Sequence, residues 1–400
     1  MNAWHGPGRG GFFPNNIAML FACLALAGFL ASCTHGAEPG GFAGGRARVS
    51  DHFDGRLFFN PTLQGPASPP AAETPGRGRS RWIWRLLLGN DWPEWPQPAA
   101  LAPGAPPAAR VPTGALTITP VGHSTFLIQL DGLNILTDPI WSERCSPVAW
   151  AGPKRFQAPG LRFEDLPAID AVLVTHNHYD HLDLPTLERL AGKGVQRAVT
   201  TLGNRGLIRE TGIPAVDELD WWQSLRLSET VTVTLVPARH FSSRTLWDRN
   251  ETLWGGFVIS GPAGNIYYSG DTGYGPHFRE IARRFSPVRA AILPISPFRP
   301  RQPGEPAQRN FAGVHMGPAE AVQAHLDLGA GLSIAAHFQV FQLGGDGFDD
   351  APKELELVLR ERGLKPDAFI TPALGRPIDA AARPDDRNGP AGRQRADAKD

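Results

Sequence analysis

The sequence predicts an α/β domain over residues 113–378 of a chain of 400 residues. Apolar runs of a few residues recur between Gly, Pro and Asp turns, a pattern typical of buried strands. Between two of these runs stands Asp131-Gly132, a pair that favours a tight hairpin turn. Between other predicted strands, apolar residues recur at the spacing of a helix. We therefore expect one large domain in which strands and helices are interspersed.

The elements can be taken in order. We expect helices over 184–191, with Pro185 in the first turn, and over 318–328, where apolar residues share one side. A Gly264-Asn265 turn can supply positive φ between two hairpin arms. The predicted strands are 116–119, 124–130, 134–137, 169–174, 198–201, 231–236, 256–259, 265–269, 290–295 and 332–336.

Both ends of the chain have a different composition. The 45 Gly and 39 Pro crowd toward the two ends, where little apolar area is available to offset chain entropy. We expect residues 33–112 to form a Pro/Gly-rich tether and amino-terminal extension, and residues 379–400 to be a disordered tail. Two apolar islands in the extension, 53–61 and 82–88, are expected to fold onto the domain.

Residues 1–32 resemble a secretory signal. A weakly basic start is followed by an apolar run over 17–30, which is shorter than the ~20 residues a membrane-spanning helix needs. Leu30-Ala31-Ser32-Cys33 resembles a bacterial lipobox, which implies a lipid on Cys33 and a place at the periplasmic face of the cell envelope, with the outer membrane slightly favoured. A retained, uncleaved anchor is the alternative.

The net charge and the cysteine content exclude two possibilities, a nucleic-acid partner and an intrachain disulfide. Lys plus Arg and Asp plus Glu are 39 each, so no net field attracts nucleic acid, and we expect none as a partner. The charge does not indicate an oligomeric state. With Cys23 removed and Cys33 acylated, Cys145 alone remains, which excludes an intrachain disulfide. Cys145 is interpreted as a bystander thiol, with a nucleophile as the alternative.

A metal-like motif follows the strand predicted over 169–174. Within six residues it holds three imidazoles and a carboxylate: His176, His178, Asp180 and His181. Three further strands each lead to one more group of a ligand type, namely His240, Asp271 and His337. Clustered imidazoles without a metal would repel on protonation and would be poorly desolvated, so the pattern predicts a metal site.

These motifs resemble the metallo-β-lactamase superfamily, which implies an αβ/βα sandwich of two mixed sheets flanked by helices. More narrowly, PARHFSSR at 237–244, SGDTGY at 269–274 and HMGPAEAV at 315–322 look like the branch containing N-acyl-phosphatidylethanolamine-hydrolysing phospholipase D. DHFD at 51–54 and FNP at 59–61 resemble the amino-terminal segment of that branch. One departure is FQVFQL at 338–343, where the branch usually has Gly-Thr-Phe.

The resemblance implies a site for two zinc ions. His176, His178 and His240 would bind one ion, Asp180, His181 and His337 the other, and Asp271 would bridge them. The nitrogen and oxygen donors would also accept Mn²⁺ or Fe²⁺. Two such ions can hold a bridging hydroxide that attacks phosphorus, with Asp180 accepting or relaying a proton.

Two further residues are site candidates. His315, just before the helix predicted over 318–328, would contact the phosphate or the leaving group, with a cap or surface residue as the alternative. Asp138 would orient a ligand histidine through its second ring nitrogen, or it merely forms a turn before Pro139.

The expected substrate is N-acyl-phosphatidylethanolamine or a related lipid, cleaved as by a phospholipase D. Another ester, lactone or phosphodiester hydrolysed on the same site is the alternative, since fold and motif do not fix the substrate. The third hypothesis is a non-catalytic metal-binding envelope lipoprotein.

Overall fold

A computed structural model describes residues 50–61, 93–96, 101–299 and 313–380. The signal segment, Cys33, the island 82–88 and the tail beyond residue 380 lie outside these ranges. What the sequence predicts for them therefore stays a prediction. No helix in the described ranges has both the length and the apolar content needed to cross a bilayer.

Fourteen strands form two seven-stranded sheets within the described ranges. The first sheet has the order β14-β1-β2-β3-β4-β5-β6, and the second has the order β13-β12-β11-β10-β9-β8-β7. The strands are β1 Leu116–Gly122, β2 Thr125–Leu130, β3 Leu133–Thr137, β4 Ala171–Val174, β5 Arg197–Thr201, β6 Ala215–Leu219, β7 Ser224–Arg226, β8 Thr232–Val236, β9 Gly256–Gly261, β10 Gly264–Tyr268, β11 Val288–Pro294, β12 Leu332–Ala336, β13 Phe369–Ile370 and β14 Ile378–Asp379.

Both sheets mix parallel and antiparallel pairs. In the first sheet the pairs β1–β2 and β2–β3 are antiparallel, whereas β3 to β6 run parallel to one another. In the second sheet β7 to β10 are antiparallel, and β10 to β13 are parallel. The parallel halves need crossover connections, which the helices supply. These helices are α1 Leu184–Gly192, α2 Arg205–Arg209, α3 His277–Phe285, α4 Pro318–Leu328 and α5 Asp350–Glu361.

The layers follow from the alternation of side chains along buried strands. In β11, Ala290 and Ile292 join a core shared with the first sheet, while Ala291 and Leu293 face α3, α4 and α5. Such alternation is the period of two of a strand, and all four side chains are fully buried because both faces are covered. A third cluster packs the outer face of the first sheet against α1 and α2. The result is the predicted αβ/βα sandwich.

The sequence located most strands and missed several helices. The Asp131-Gly132 turn was predicted correctly, and both residues have positive φ, at 49° and 81°. Of the helices, α1 and α4 were expected, whereas α2, α3 and α5 were not. Strands β6, β7, β13 and β14 were also missed, and each of them pairs at or near a sheet edge.

Part of the amino-terminal extension packs on the domain, as expected for the island 53–61. Phe58 is buried in the core between the sheets, and its backbone N–H donates to Asn250 O over 2.9 Å. The Asn60 side chain donates to the backbone carbonyl of His240 over 2.8 Å. Segment 50–61 is therefore joined to the loop that follows β8.

Candidate metal centre

The candidate site lies where several strands of both sheets end. Asp138 follows β3, residues 176–181 follow β4, His240 follows β8, Asp271 follows β10 and His337 follows β12. Gly270 allows this approach. It has φ +57°, and a Cβ there would lie 2.6 Å from Thr175 Cγ2. Any larger residue would push the two strand ends apart.

The predicted ligands form two groups, and in each group the ligand atoms lie within 4.8 Å of one another. We name the groups after one member each. The His176 group consists of His176, His178, His240 and Asp271, and the His181 group consists of His123, Asp180, His181 and His337. The structure brings together all seven residues that the sequence proposed as ligands, and it adds His123 to the His181 group.

Asp271 connects the two groups. Its Oδ2 lies 3.3 Å from His181 Nε2 and 3.2 Å from His337 Nε2. The same oxygen lies 3.7 Å from His240 Nε2, in the other group. A single carboxylate oxygen thus faces imidazoles of both groups, as a ligand bridging two ions would.

His315 lies beside this carboxylate. Its Nδ1 is 3.8 Å from Asp271 Oδ2, and its ring centroid is 5.0 Å from that of His240. Gly317, not His315, precedes α4 as its N-cap. The structure therefore places His315 at the candidate centre and not at the helix cap or on the surface.

Asp138 is fully buried and accepts four hydrogen bonds. Its Oδ2 receives His181 Nδ1 at 2.7 Å, Thr175 Oγ1 at 2.6 Å and the Tyr268 hydroxyl at 2.5 Å. Its Oδ1 accepts the Thr175 backbone N–H. An imidazole held in this way has its other nitrogen, Nε2, free of a proton and directed at a metal.

The Thr175 hydroxyl extends this anchor to the other group. Since its proton goes to Asp138, Thr175 Oγ1 can accept from His176 Nδ1, 3.0 Å away. Asp138 thus orients one imidazole of each group, His181 directly and His176 through a hydroxyl. The anchor of His240 is different, because its Nδ1 donates to Val314 O over 2.8 Å.

Burial dominates the His176 group. It lowers the pKa of His240 to about 4, and it holds the pKa of His176 and of His178 well below the usual range, with help from neighbouring imidazoles. These imidazoles are therefore neutral at pH 7. A neutral imidazole can bind a metal without first losing a proton.

Carboxylates dominate most of the His181 group. Burial opposes protonation of His337, but Asp271 and Asp180 outweigh it and raise its pKa to about 9. The pKa of His181 is likewise raised well above its usual range, against burial, by Asp271, Asp180 and Asp138. Burial disfavours ionised Asp180, yet the charge of His181 and the close contacts of three imidazoles with the carboxylate hold its pKa well below normal. The carboxylates around His181 and His337 therefore favour positive charge in this group.

Several buried atoms of the centre make no hydrogen bond. Within the described part of the chain, His181 Nε2, His337 Nε2 and Asp271 Oδ1 make no hydrogen bond. A buried polar atom without a partner costs about 1–3 kcal/mol, so such atoms seldom cluster without a ligand. All three belong to residues that converge on one space, and their nitrogen and oxygen donors suit Zn²⁺. The centre fits metal ions.

His123 escaped the sequence analysis. It stands alone between Gly122 and β2, and only the fold brings its Nε2 to 2.9 Å from Asp180 Oδ2. Burial lowers its pKa to about 3, so it is neutral. The only sequence feature that could have indicated it is its position just before β2. The predicted ligands, in contrast, follow strands. Its backbone has φ 56°, and that of His337, whose N–H donates to His123 O, has φ 63°.

Residues 243 and 244, in the loop after His240, contact the metal motif at residues 176–181. Arg244 donates to the backbone carbonyls of Asn177 and Leu182, over 3.1 and 2.9 Å, and its guanidinium lies 4.1 Å from the centroid of the Tyr179 ring. Asn177 Oδ1 in turn accepts the Ser243 N–H. Asn177 and Tyr179, for which the sequence indicated no role beyond loop packing, connect the two loops.

Cys145 lies outside both groups. The thiol is buried, and burial first of all raises its pKa well above the usual value. A thiol that remains protonated is a poor nucleophile. This agrees with the interpretation of Cys145 as a bystander.

The sandwich and the two imidazole–carboxylate groups define a metal-dependent hydrolase. Residues 133–338 match the family model described as the Beta-lactamase superfamily domain. The chain belongs to this superfamily.

Comparisons with known proteins agree with this assignment. The N-acyl-phosphatidylethanolamine-hydrolyzing phospholipase D 1 of Caenorhabditis elegans is 33% identical over 280 residues, which is 67% of this chain and 77% of that protein. The outer membrane protein RomA of Klebsiella pneumoniae is 42% identical over 110 residues, 28% of this chain and 76% of that protein. A possible metal-dependent hydrolase from Veillonella parvula has a similar solved structure, with TM-score 0.53, 16% identity and coverage of 66% and 99%. This last likeness concerns the fold alone.

Proposed function

We propose that this protein is a dinuclear zinc phosphodiesterase that cleaves N-acyl-phosphatidylethanolamine or a related lipid as a phospholipase D does. The observation that carries the proposal is the position of Asp271 Oδ2, which lies 3.2–3.7 Å from imidazoles of both groups. Two neighbouring ions that share a carboxylate are a recurrent arrangement in enzymes that hydrolyse phosphodiesters. The name of the relative from Caenorhabditis elegans supports the choice of lipid.

The residues that would hold the ions are those of the two groups. His176, His178 and His240 would bind one zinc, Asp180, His181 and His337 the other, and Asp271 both. When bound, the ions would supply Lewis-acid stabilisation of negative charge and would make water acidic enough to react near neutral pH. Zinc is favoured by the family resemblance, while Mn²⁺ and Fe²⁺ suit the same donors.

The side chains of the chain have three tasks in this proposal. Asp180, whose side chain is 13% exposed, accepts or relays the proton of the attacking water. His315 contacts the phosphate or donates a proton to the leaving oxygen. Asp138 keeps His181 and, through Thr175, His176 in the orientation that a ligand needs.

A second candidate is the hydrolysis of another ester, lactone or phosphodiester on the same centre. It is favoured by the wall formed by residues 338–343, where the sequence departs from the branch. There Phe341 packs edge-on against His123 at 5.3 Å and lies under the Arg155 guanidinium at 4.8 Å. Since walls set substrate choice on a shared fold, this segment selects the substrate. The complete ligand set argues against a non-catalytic lipoprotein.

We propose that the protein belongs to the bacterial cell envelope, attached to a membrane through a lipid on Cys33, with the outer membrane slightly favoured. The sequence Leu30-Ala31-Ser32-Cys33 supports the anchor, and the similarity to the outer membrane protein RomA supports the compartment. Palmitate labelling tests the anchor: Cys33→Ser should abolish both the label and membrane retention. A labelled and retained variant would contradict it.

Lipid profiling tests the reaction. Wild type, incubated with N-acyl-phosphatidylethanolamine, should release N-acylethanolamine and phosphatidic acid, while Asp271→Asn should release neither. The control is Asp131→Asn, a buried carboxylate that accepts the N–H groups of Gly114 and Ala263 outside the site. If wild type leaves phosphodiesters intact but opens esters or lactones, the second candidate replaces the first.

A further inference from the structure

His123 is a buried imidazole in direct contact with Asp180, yet it differs from the residues that resemble metal ligands. It has 4% exposure, and its Nε2 lies 2.9 Å from Asp180 Oδ2. Its ring centroid lies 4.0 Å from that of His337, with the two planes tilted by 43°, and the ring makes an edge contact with Phe341. No part of the ligand assignment uses it, although it belongs to the His181 group by distance.

The outer nitrogen of His123 differs from those of three histidines that would bind zinc. A histidine that binds a metal donates its second N–H to a fixed acceptor, which sets the tautomer. Three of the five histidines that would bind zinc do so: His181 donates to Asp138, His240 to Val314 O and His176 to Thr175 Oγ1. Among the described residues, His123 Nδ1 has no hydrogen-bond partner. No acceptor there favours the tautomer with a proton on Nδ1, whereas Nε2 faces a carboxylate that can accept a hydrogen bond from an Nε2–H.

The electrostatics of the contact agree. An unprotonated Nε2 would set its lone pair against those of an ionised carboxylate, while an Nε2–H would donate to it. The other imidazoles near Asp180 Oδ2 are those of His181 and His337, each with Nε2 at 3.3 Å. Once these two bind a metal they have no proton to donate. His123 would then be the one imidazole of its group still donating to Asp180.

We propose that His123 is a positioning residue, whose Nε2–H holds Asp180 Oδ2 so that the carboxylate keeps one orientation toward the ion and the attacking water. The inference rests on the proposed function, because it gives Asp180 its role. The backbone supports it: His123 adopts φ 56° next to a bulge between Pro120 and Gly122. Such a conformation is uncommon outside Gly and persists at sites where the surrounding fold holds it.

The same conformation ties His123 to a ligand. His337 also has positive φ, at 63°, and its N–H donates to His123 O over 3.0 Å. Through its backbone His123 thus fixes His337, and through its side chain it fixes Asp180. One residue that β1 and β2 hold in place aligns two of the four residues that would bind the second ion.

The test compares His123→Ala with His123→Gln in the full-length protein. Glutamine keeps an amide N–H of similar reach but no imidazole, so it can replace a donor and not a nitrogen ligand. The control is His325→Gln, which removes a buried imidazole bonded to Ser333 Oγ outside both groups. The readouts are the zinc content after dialysis, zinc affinity by competition with a chelator, and kcat and KM on bis(p-nitrophenyl) phosphate. Thermal melting verifies the fold.

We expect His123→Ala to keep the zinc-to-protein ratio of wild type, with zinc affinity or kcat about 10–100-fold lower and KM little changed. His123→Gln should recover most of this loss. Loss of one full zinc equivalent in both variants would identify His123 as a ligand and overturn the proposal. So would a His123→Ala variant that behaves like His325→Gln. A wild type that binds zinc but cleaves no phosphodiester overturns the proposed function alone, because the zinc readouts need no substrate.

Discussion

The two ligand groups are built from the same residue types and are held in different ways. In the His176 group the anchors of His176 and His240 are a hydroxyl and a backbone carbonyl, and burial lowers the pKa of its three imidazoles. In the His181 group, His181 is anchored by a carboxylate, and carboxylates raise the pKa of His181 and of His337.

The difference shows how one centre can give its two metal ions ligands of different basicity. A hydrogen bond to a carboxylate makes an imidazole a more basic ligand than one to a neutral oxygen. The His181 group should therefore bind its ion more tightly once its protons are displaced, and its affinity should depend more on pH. Changes that act on one group, or on both, test this comparison.

Asp271→Asn should have the largest effect, because Asp271 Oδ2 faces both groups. We expect at least about a 100-fold loss of turnover, since even changes outside the ligand shell cause 10–100-fold losses. Zinc content should fall as well, and steady-state assays with metal analysis measure both. Unchanged zinc content would show that the two groups do not share this carboxylate.

Asp138→Asn should weaken mainly the His181 group. It removes the charge that holds His181 and leaves an amide facing the donors Thr175 and Tyr268. We expect about a 10–100-fold loss of affinity for one of the two ions, seen as a split in chelator titrations. Equal weakening of both ions would mean that the relay through Thr175 matters as much as the direct contact. Asp131→Asn is the matched control.

Thr175→Val should act on the His176 group, since it removes the acceptor of His176 Nδ1 at nearly constant volume. It also removes one donor to Asp138, whose remaining donors include His181 and Tyr268. One hydrogen bond of about 0.5–1.5 kcal/mol corresponds to about a 2–13-fold loss in zinc affinity. An effect larger than that of Asp138→Asn would reverse the assigned order of the two anchors.

Asn60→Ala should have the smallest effect. Asn60 Nδ2 donates to the backbone carbonyl of His240, so its loss reaches the His176 group only through the backbone. We expect a free energy of unfolding lower by about 1 kcal/mol and little change in zinc affinity. Urea unfolding measures the first quantity. The control is Asn265→Ala, which removes a side-chain bond to Phe285 O elsewhere. An affinity loss specific to Asn60→Ala would make this contact part of the ligand support.

Much of the centre was predictable because its ligands follow strands. Residues 176–181 form a dense local motif, and His240, Asp271 and His337 each come just after an apolar run. Buried strands are recognisable from such runs, and the ends of neighbouring strands meet at one sheet edge. The sequence could not predict His123, since its contact with Asp180 spans 57 positions and depends on the turn between β1 and β2.

The helices and strands that were not predicted differ in how clearly the sequence indicates them. Helix α5 was predictable, because its buried residues Ala351, Leu355, Val358 and Leu359 recur at helical spacing. Helix α3 was predictable in the same way, because Phe278, Ile281 and Phe285 stand at helical spacing, and Phe278 and Ile281 are buried in the cluster that the second sheet shares with its helices. The edge strands β13 and β14 have two residues each, which is too short for a periodic signal.

The tie between Asn60 and His240 has a practical consequence for trimming the chain. The region that matches the family model begins at residue 133, at the start of β3. A chain cut there would lack β1, β2, His123 and the segment that carries Asn60, while retaining every predicted ligand. Such a fragment should express as a protein with a complete ligand inventory and a poorly aligned centre. The smallest chain suited to enzymology therefore begins no later than residue 50 and runs past β14.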